Sequence, residues 1–497
     1  MRTRSARRRG LARVLAALAL PMALTACVGN AAPPVPKPLP TDGRPNIVFI
    51  LTDDLSVNLL PYLPHVQALA QAGMSFENYY VVDSLCCPSR AAIFTGQYPH
   101  DDGVFSNHGA DGGYSAYNTN HNQEKSFGVA LHRAGYFTGF MGKYLNGYQP
   151  SDPPAPGWDD WNVAGMAYSE YGYEMNENGS LHFYGHTPDD YLTRVLAQKA
   201  VGFVYHAQYT GKPFALEVAT FAPHRPATPA PVDQNSFPSL TAPQPPSFGV
   251  QPVDPPAWLA DLPPLSSGDV KNINHEFRLR VESVQAVDRL IGQVERALAE
   301  THQLDNTYLV FSSDNGYHMG EHGLMPGKQT AFTTDIRVPL VVAGPDVPAG
   351  RTVDAMTSSI DLAPTFLQLA DAQPTGVQDG VSLLDLWHGR TAPSDWQRAV
   401  LIEHHGPVDA ANDPDVQPNR SGNPPSYEAM RTATSLYVEY DTGEFEYYDL
   451  ATDPAELYNR YGSLSPQRRA ELHGLLYRLQ TCHGAVECQR AAAPAGV

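Results

Sequence analysis

Long apolar runs, separated by stretches of helical periodicity, set the pattern of this chain. NIVFILT at 46–52 is continuously apolar and β-branched, and KPFALEVATF at 212–221 and NTYLVFSSDNG at 306–316 begin in the same way and end in polar residues. Such runs are typical of strands buried on both faces of a parallel sheet. Residues 61–72 and 272–300 carry apolar positions at helical spacing. Strands that alternate with helices predict an α/β fold with functional loops at the strand carboxyl ends.

Two further elements extend this pattern, and one segment interrupts it. RVPLVVAGP at 337–345 predicts another strand, and SIDLAPTFLQLAD at 359–371 predicts another helix. Residues 223–265 are rich in proline and have no periodicity, so we expect a long surface excursion near the site, with little regular structure. The predicted main domain, 44–390, is a large, mixed, mostly parallel sheet flanked by helices.

The character of the chain changes from about residue 396. AVLIEHHG, EAMRTATSLYVEYDTG and EFEYYDLATDP predict antiparallel strands, with a hairpin turn at 441–443. Residues 465–480 predict a closing helix with Ser465 as its N-cap and Pro466 at its first position. We therefore expect a smaller C-terminal subdomain, 396–497, made of an antiparallel sheet plus a helix.

The N-terminus has the pattern of an export signal. Residues 1–27 combine an arginine-rich start with a short apolar core and end in LTAC, which resembles the lipobox of bacterial lipoproteins. That resemblance implies cleavage before Cys27 and a lipid anchor on its thiol, at the outer face of a bacterial cell membrane. An ordinary signal peptide with a nearby cysteine is the alternative, and both the general secretory and the twin-arginine routes stay open. Residues 28–43 are rich in proline and predict an extended tether.

The charge of the chain limits its partners. The sequence has 33 basic and 52 acidic residues, and six of the basic ones lie in 1–27, which leaves a net charge of −25 after cleavage. Such a charge argues against nucleic acid and against a long polyanionic polymer as the natural partner. After residue 27, no apolar stretch is long enough to cross a membrane.

Four cysteines lie outside the signal. Cys482 and Cys488 are near the C-terminus, where an extracytoplasmic location would permit a disulfide between them. Cys86 and Cys87 are adjacent in LCCPSR and are poorly placed to bond each other. Pro88 suits the first turn of a helix, so Cys86 would lie at a helix N-terminus, where free amides favour an anion. A structural cysteine at a helix start is the alternative.

Polar residues end two of the predicted buried strands. Asp53 and Asp54 follow the first strand, and Asp314 and Asn315 follow the strand that begins near residue 306. Because the carboxyl ends of strands in one sheet converge on one crevice, these side chains are expected to meet. Three carboxylates and an amide form an oxygen donor set suited to Ca²⁺ or Mg²⁺ and unsuited to zinc. A turn or an N-cap is the alternative for each pair.

CCPSR, followed by TGQYPH, resembles the core motif of the formylglycine-dependent sulfatases, in the alkaline-phosphatase-like superfamily. The resemblance runs from RPNIVFILTDD at 44–54 to YYDLATDPAELYN at 447–459. GKYLNGY at 142–148 and SDNGYH at 313–318 look closest to the glucosamine-6-sulfatase and heparan endosulfatase branch. The resemblance implies a sulfuric ester hydrolase that needs a formylglycine-generating enzyme during maturation.

The same resemblance implies a role for each site residue. Oxidation of Cys86 yields formylglycine, whose hydrate would attack sulfur and later expel sulfate. One Ca²⁺ is implied, with the ligands Asp53, Asp54, Cys86, Asp314 and Asn315. Arg90 would hold the hydrate, Lys143 and Lys328 would bind the sulfuryl group, His224 would act at the leaving side, and His318 would lie at the substrate rim.

One departure from the family pattern leaves a step open. Many arylsulfatases have a histidine two residues after the lysine that matches Lys143, whereas this chain has Leu145 followed by Asn146, as the glucosamine-6-sulfatase-like branch does. The group that deprotonates the hydrate is therefore not assigned. The acidic chain favours small sulfated sugars or aryl sulfates as substrates. A phosphonate monoesterase or phosphodiesterase, and a silent surface-binding lipoprotein with unmodified Cys86, are the alternative functions.

Overall fold

The computed structural model describes residues 43–260, 262–394, 396–397, 399–407, 415–417 and 420–493. The predicted signal, lipid anchor and most of the tether, all within residues 1–42, lie outside the described residues. None of the described helices is both long and apolar enough to span a bilayer.

Sixteen strands occur within the described residues. In chain order they are β1 (Asn46–Thr52), β2 (Met74–Phe76), β3 (Tyr79–Tyr80), β4 (Phe137–Gly142), β5 (Asp160–Ala164), β6 (Tyr173–Glu177), β7 (Ser180–Tyr184), β8 (Phe214–Ala219), β9 (Thr307–Ser313), β10 (Leu340–Ala343), β11 (Arg351–Val353), β12 (Thr357–Ser358), β13 (Ala399–His404), β14 (Tyr427–Thr432), β15 (Ser435–Tyr440) and β16 (Phe445–Asp449).

Ten of these strands form one large sheet in the order β11-β2-β10-β9-β1-β8-β4-β5-β6-β7. The five strands from β9 to β5 run parallel, whereas β10, β6 and β7 pair antiparallel with their neighbours. Strands β3 and β12 form a separate short pair. The prediction of a large, mixed, mostly parallel sheet is confirmed.

The helices cover both faces of the large sheet. The described α-helices are α1 (Pro64–Ala72), α2 (Cys86–Thr95), α3 (Pro99–Asp102), α4 (Gly113–Thr119), α5 (Phe127–Arg133), α6 (Leu192–Ala207), α7 (Ala257–Ala260), α8 (Ser267–Glu300), α9 (Thr333–Ile336), α10 (Leu362–Leu369), α11 (Leu384–Trp387), α12 (Pro466–Leu479) and α13 (Ala485–Ala492). Short 3-10 helices lie at Val57–Tyr62, Gln123–Lys125, Pro188–Asp190, Leu304–Asn306, Ser359–Asp361 and Tyr461–Ser463.

The packing of β1 explains why the middle of the strand is apolar. Successive side chains of a strand point to opposite faces of the sheet. Val48 and Ile50 pack on the face covered by α1, α6 and α8. Ile47, Phe49 and Leu51 pack on the face covered by α2, α5 and α10. Both faces are therefore buried, and the positions from Ile47 to Leu51 need apolar side chains.

The longest helix, α8, begins earlier than its periodicity indicated. It spans 34 residues from Ser267, against the predicted 272–300. The Ser266 hydroxyl accepts a hydrogen bond from the Asp269 amide, and the Asp269 carboxylate accepts one from the Ser266 amide. This reciprocal capping box satisfies two amides that have no partner inside the helix. The pair Ser266 and Asp269 indicates this helix start in the sequence, whereas the apolar spacing alone did not.

The C-terminal region forms a four-stranded antiparallel sheet in the order β13-β14-β15-β16. The predicted hairpin turn is present, since the Gly443 amide donates to the Tyr440 carbonyl. Helix α12 has the predicted cap, with the Ser465 hydroxyl accepting from the Arg468 amide. Cys482 and Cys488 form a disulfide.

Side chains of the small sheet and of one face of the large sheet belong to a continuous hydrophobic cluster. Phe49 of β1 and Leu401 of β13 are both members of it. The division of the chain at 390 and 396 stays a prediction. The excursion at 223–265 contains α7 and no other helix or strand among its described residues, as expected. The hairpin of β6 and β7 and the helix α6 were not predicted.

Glu217 is a buried acid in the middle of β8. Its Cα pairs in register with Phe49 and Phe140, so it shares their face of the sheet. Neither carboxyl oxygen has a hydrogen-bond partner within the described residues. Burial raises the pKa of Glu217 from 4.5 to about 8, against the opposing charge of Arg90. The folded protein therefore holds this proton at pH values where the unfolded chain has lost it.

We expect Glu217→Gln to stabilise the protein at neutral pH. Because the folded pKa is raised, the unfavourable contribution of Glu217 grows as the pH rises from 4.5 to 8, and it reaches about 3 kcal/mol near pH 7. Urea unfolding at pH 5 and pH 8 should show a larger gain at pH 8. Glu124→Gln, at an exposed position, is the control for net charge. An equal gain at both pH values would contradict the assignment.

Candidate active site

Four oxygen-bearing side chains meet where β1 and β9 end. These two parallel strands pair over their whole length, from Asn46 with Thr307 to Thr52 with Ser313. The next residues along the chain therefore meet at one edge of the sheet. The Asp54 amide donates to Asp314 Oδ1 at 3.0 Å, and Asn315 Nδ2 lies 2.7 Å from Asp54 Oδ1. The predicted convergence of Asp53, Asp54, Asp314 and Asn315 is present, and all four residues are buried.

Backbone geometry and a buried arginine fix this corner. Asp54 has φ of 65°, in the left-handed region that few non-glycine residues adopt and that concentrates at functional sites. Arg280 of α8 donates to the carbonyl oxygens of Asp54 and Pro223, and its guanidinium lies 4.0 Å from the centre of the Tyr317 ring. One side chain thus ties the end of β1 to the loop that carries His224.

Cys86 lies beside the acidic corner. It is the first residue of α2, as predicted, and is fully buried. Its Sγ lies 3.3 Å from Asp53 Oδ1 and 3.9 Å from Asp54 Oδ1. Burial, together with the charges of Asp415 and Asp53, raises the pKa of the Cys86 thiol well above its usual range. The thiol is therefore protonated and a poor nucleophile.

Lys143 reaches the corner from the end of β4. Its Nζ donates to Asp53 Oδ2 at 2.6 Å and lies 5.1 Å from the centre of the Tyr168 ring. Gly142 precedes it with φ of 105°, and a Cβ there would lie 1.8 Å from the Ala219 carbonyl oxygen. Only glycine allows this close approach of β4 to β8. Burial alone would lower the pKa of Lys143, but Asp53 raises it, so the amine is charged.

Lys328 and His224 approach Cys86 from the other side. Lys328 Nζ lies 2.7 Å from Asp54 Oδ1, from Cys86 Sγ and from Asp415 Oδ1. His224 Nε2 lies 2.5 Å from Asp415 Oδ1, and its Nδ1 lies 2.8 Å from the Arg225 carbonyl oxygen. Burial alone would lower the pKa of His224, but Asp54 and Asp415 raise it. Lys328 Nζ and His224 Nε2 therefore meet at Asp415 Oδ1, which lies 3.6 Å from Cys86 Sγ.

Three further residues of this site were not assigned from the sequence. Asn107 Nδ2 and Asn146 Nδ2 donate to Asp415 Oδ2 at 2.9 and 2.7 Å. Asn107 Oδ1 accepts a bond from the Cys87 amide at the start of α2, which fixes the orientation of the Asn107 amide. Asn146 belongs to GKYLNGY, where its motif position was a usable signal. Asn107 and Asp415 belong to no motif, and only the folded chain brings them together.

Comparison with known families gave two matches. Residues 45–372 match the family model described as Sulfatase. Residues 320–481 match a second model, described as N-sulphoglucosamine sulphohydrolase, C-terminal.

The chain belongs to the sulfatase family.

Relatives of this sulfatase support the resemblance to the glucosamine-6-sulfatase and endosulfatase branch. It is 33% identical to the N-acetylglucosamine-6-sulfatase of Homo sapiens over 89% of this chain and 85% of that protein. It is 34% identical to the extracellular sulfatase SULF-1 homolog of Drosophila melanogaster, over 73% of this chain and 33% of that protein. The sulfatase is a sulfuric ester hydrolase, and its predicted enzyme class is confirmed.

Solved structures share the fold of this sulfatase. One is a complex with its substrate D-glucosamine-2-N,6-O-disulfate, with a TM-score of 0.74, 24% identity, and coverage of 88% of this chain and 97% of that one. Another is a phosphonate monoester hydrolase from Silicibacter pomeroyi, with a TM-score of 0.65, 23% identity, and coverage of 88% and 94%. The shared fold confirms the predicted architecture.

Arg90 of the sulfatase bonds to the acidic corner. Its Nε donates to Asp314 Oδ2 at 2.8 Å, and its Nη1 donates to the Lys143 carbonyl oxygen at 2.8 Å. Burial alone would lower the pKa of Arg90, but Asp314 and Asp53 raise it. Arg90 thus orients an acidic side chain and the lysine loop together.

His318 of the sulfatase is held by two partners that do not belong to the acidic corner. Its Nδ1 lies 2.9 Å from Asp335 Oδ1, and its Nε2 lies 2.9 Å from the Ser421 carbonyl oxygen. Both ring nitrogens are therefore engaged. These contacts favour a structural role for His318 over the substrate contact that the family resemblance implied.

The residues present fit a divalent cation in the acidic corner of the sulfatase. Ligand atoms of Asp53, Asp54, Cys86 and His224 all lie within 4.8 Å of one another. Asn315 Oδ1 is buried and has no hydrogen-bond partner within the described residues. Burial raises the pKa of Asp314, and the charge of Asp53 raises it further. A cation bound by oxygen ligands would give Asn315 Oδ1 a partner and would reduce the repulsion between the carboxylates.

Proposed function

We propose that this sulfatase releases inorganic sulfate from small sulfated sugars or aryl sulfates, with a formylglycine made from Cys86. The observation that carries the proposal is the set of donors around Cys86. The Asp415 carboxylate, beside the Cys86 sulfur, is contacted by Lys328, His224, Asn107 and Asn146. Donors arranged in this way can bind the oxygens of a sulfuryl group and stabilise the negative charge that develops during its transfer.

The nucleophile is proposed to be the formylglycine hydrate. The raised pKa of the Cys86 thiol speaks against a thiolate at this position. Formation of a covalent intermediate would divide one difficult step into two easier ones. The formylglycine-generating enzyme is the proposed maturation partner. Mass spectrometry of the Cys86 peptide separates this proposal from a silent binding protein, which would retain the thiol.

The proposed cofactor is one Ca²⁺. The proposed ligands are the modified Cys86 and four buried side chains with oxygen atoms: Asp53, Asp54, Asp314 and Asn315. When bound, the ion would supply positive charge that lowers the pKa of a hydroxyl group at the nucleophile.

Each remaining site residue has a proposed role that its contacts support. Lys143 and Lys328 stay charged and stabilise negative charge on the sulfuryl oxygens. His224, whose Nε2 contacts Asp415 Oδ1 beside Cys86, donates a proton to the leaving oxygen. Arg90 orients Asp314 and the Lys143 loop. His318 shapes the rim of the pocket through Asp335 and Ser421 rather than by contact with substrate.

The proposed substrate class is a small monosulfated sugar, with 6-sulfated glucosamine first. The names of the human relative and of the substrate complex support this class. The net charge of −25 after cleavage opposes a long sulfated polymer.

Hydrolysis of glucosamine-6-sulfate should therefore exceed that of heparin at equal sulfate concentration. The advantage should be largest at low salt, where the Debye length is about 30 Å, and should shrink near 0.15 M, where it is about 8 Å. Sulfate release measured across ionic strength tests this expectation. Faster release from heparin at low salt would contradict it.

Rates on matched sulfate, phosphate and phosphonate esters test the rival phosphoryl reaction that the same fold supports in other enzymes.

Export and anchoring at Cys27 complete the proposal. The lipobox-like LTAC and the proline-rich segment after it would leave the catalytic domain beside a bacterial membrane. We expect Cys27→Ser to lose its lipid and to stay unprocessed or enter the soluble fraction. Detergent phase separation of native and variant protein measures this, and a native protein found wholly in the aqueous phase would exclude the anchor.

A further inference from the structure

The carboxylate of Asp415 contacts all four of the donors described beside Cys86. Its Oδ1 is 2.7 Å from Lys328 Nζ and 2.5 Å from His224 Nε2. Its Oδ2 is 2.9 Å from Asn107 Nδ2 and 2.7 Å from Asn146 Nδ2. A lysine, a histidine and two amides thus hold the two oxygens of one buried carboxylate.

The Asp415 carboxylate lies where the reacting sulfuryl group would have to bind. Asp415 Oδ1 lies 3.6 Å from Cys86 Sγ. A sulfur atom under attack must lie about 3–3.5 Å from the attacking atom of residue 86. The sulfuryl oxygens would then need the space and the donors that Asp415 uses. The carboxylate and the sulfuryl group therefore exclude each other.

We infer that Asp415 is an internal anion that occupies the sulfuryl position in the free enzyme and that every substrate must displace. The inference rests on the proposed function, since it takes the donors around Asp415 as the sulfuryl-binding groups. Only the fraction of the enzyme with the carboxylate displaced binds sulfate, so the apparent affinity is reduced by that fraction. Asp415 adds a second carboxylate beside Lys328 and His224, both of which also lie close to Asp54.

The backbone of Asp415 is held separately from its side chain. Gln329 Nε2 and Gln417 Nε2 donate to the Asp415 carbonyl oxygen at 3.3 and 2.9 Å. Displacement of the carboxylate therefore does not require loss of these two contacts. The same contacts would keep the carboxylate close to its donors, ready to replace departing sulfate.

Removal of the carboxylate should tighten binding of inorganic sulfate. Calorimetry on the full-length enzyme, with the state of Cys86 verified by mass spectrometry, should give a sulfate Kd at least tenfold lower for Asp415→Ala than for the native protein. The KM for 4-nitrophenyl sulfate should fall by a similar factor. Asp354→Ala removes one exposed negative charge elsewhere and should change neither value.

A second variant protects the test against misfolding. Asp415→Asn keeps the shape and the amide contacts, and should shift sulfate affinity in the same direction by a smaller factor. Unchanged or weaker sulfate binding in both variants, or a collapse of kcat with KM unchanged, would overturn the inference and place Asp415 in the reaction itself. Failure of the native enzyme to hydrolyse any sulfate ester would instead contradict the proposed function, and calorimetry would still report on Asp415.

Discussion

Cys86→Ala removes sulfatase turnover, whereas Cys87→Ala retains substantial activity: this is the largest effect we expect. Cys86 Sγ contacts Asp53 and Lys328. Cys87, the next residue of α2, belongs instead to the hydrophobic cluster. Loss of a covalent nucleophile typically lowers kcat on the order of 10⁴ to 10⁶-fold. Loss of the small buried Cys87 side chain should cost about 1 kcal/mol of stability and leave the nucleophile in place.

Release of sulfate from 4-nitrophenyl sulfate measures the effect, and circular dichroism verifies that both variants are folded. Mass spectrometry should find the aldehyde in the Cys86 position of the native protein and of Cys87→Ala. The reverse pattern of activity, or an active enzyme with an unmodified Cys86, would refute the assignment.

Asp314→Ala should abolish metal binding and with it most of the activity. Asp314 lies between Asp54 and Arg90, so its removal opens the oxygen ligand set and leaves the buried Arg90 without its carboxylate partner. We expect a fall in kcat/KM on the order of 10³-fold or more, since the ion is proposed to stabilise charge in the transition state.

Elemental analysis of the native enzyme and the variant provides a readout separate from activity. The native enzyme should contain one calcium per chain, and the variant should contain much less. Asp314→Asn keeps the acceptor for the Asp54 amide and separates the loss of charge from the loss of shape. Zinc, or no metal at all, in active native enzyme would exclude the calcium proposal.

The sequence predicted those parts of the site that follow directly from strands and short motifs. Asp53 and Asp314 each follow a strand with a strong apolar pattern, and pairing of β1 with β9 brings the two residues together without further information. Cys86 was predictable because Pro88 marks the first turn of a helix. In each case a local pattern determined the position of the side chain.

The rest depended on contacts between distant residues. Asp415 lies in a segment without apolar periodicity and meets Asn107, 308 residues earlier in the chain. Such a contact leaves no local pattern. The hairpin of β6 and β7 was missed for a related reason, since its outer strand, with residues such as Phe183, is largely exposed and lacks the alternation of buried and exposed positions that identifies a strand.

The complete burial of Cys86 has a consequence for the order of events in the life of the chain. A thiol at the start of α2, with none of its surface exposed, is out of reach of another enzyme once the sheet and helices have assembled. The proposed oxidation must therefore precede folding. The twin-arginine route transports folded proteins, so its use would require the aldehyde to be made in the cytoplasm. The general secretory route transports unfolded chains, and would permit oxidation on either side of the membrane.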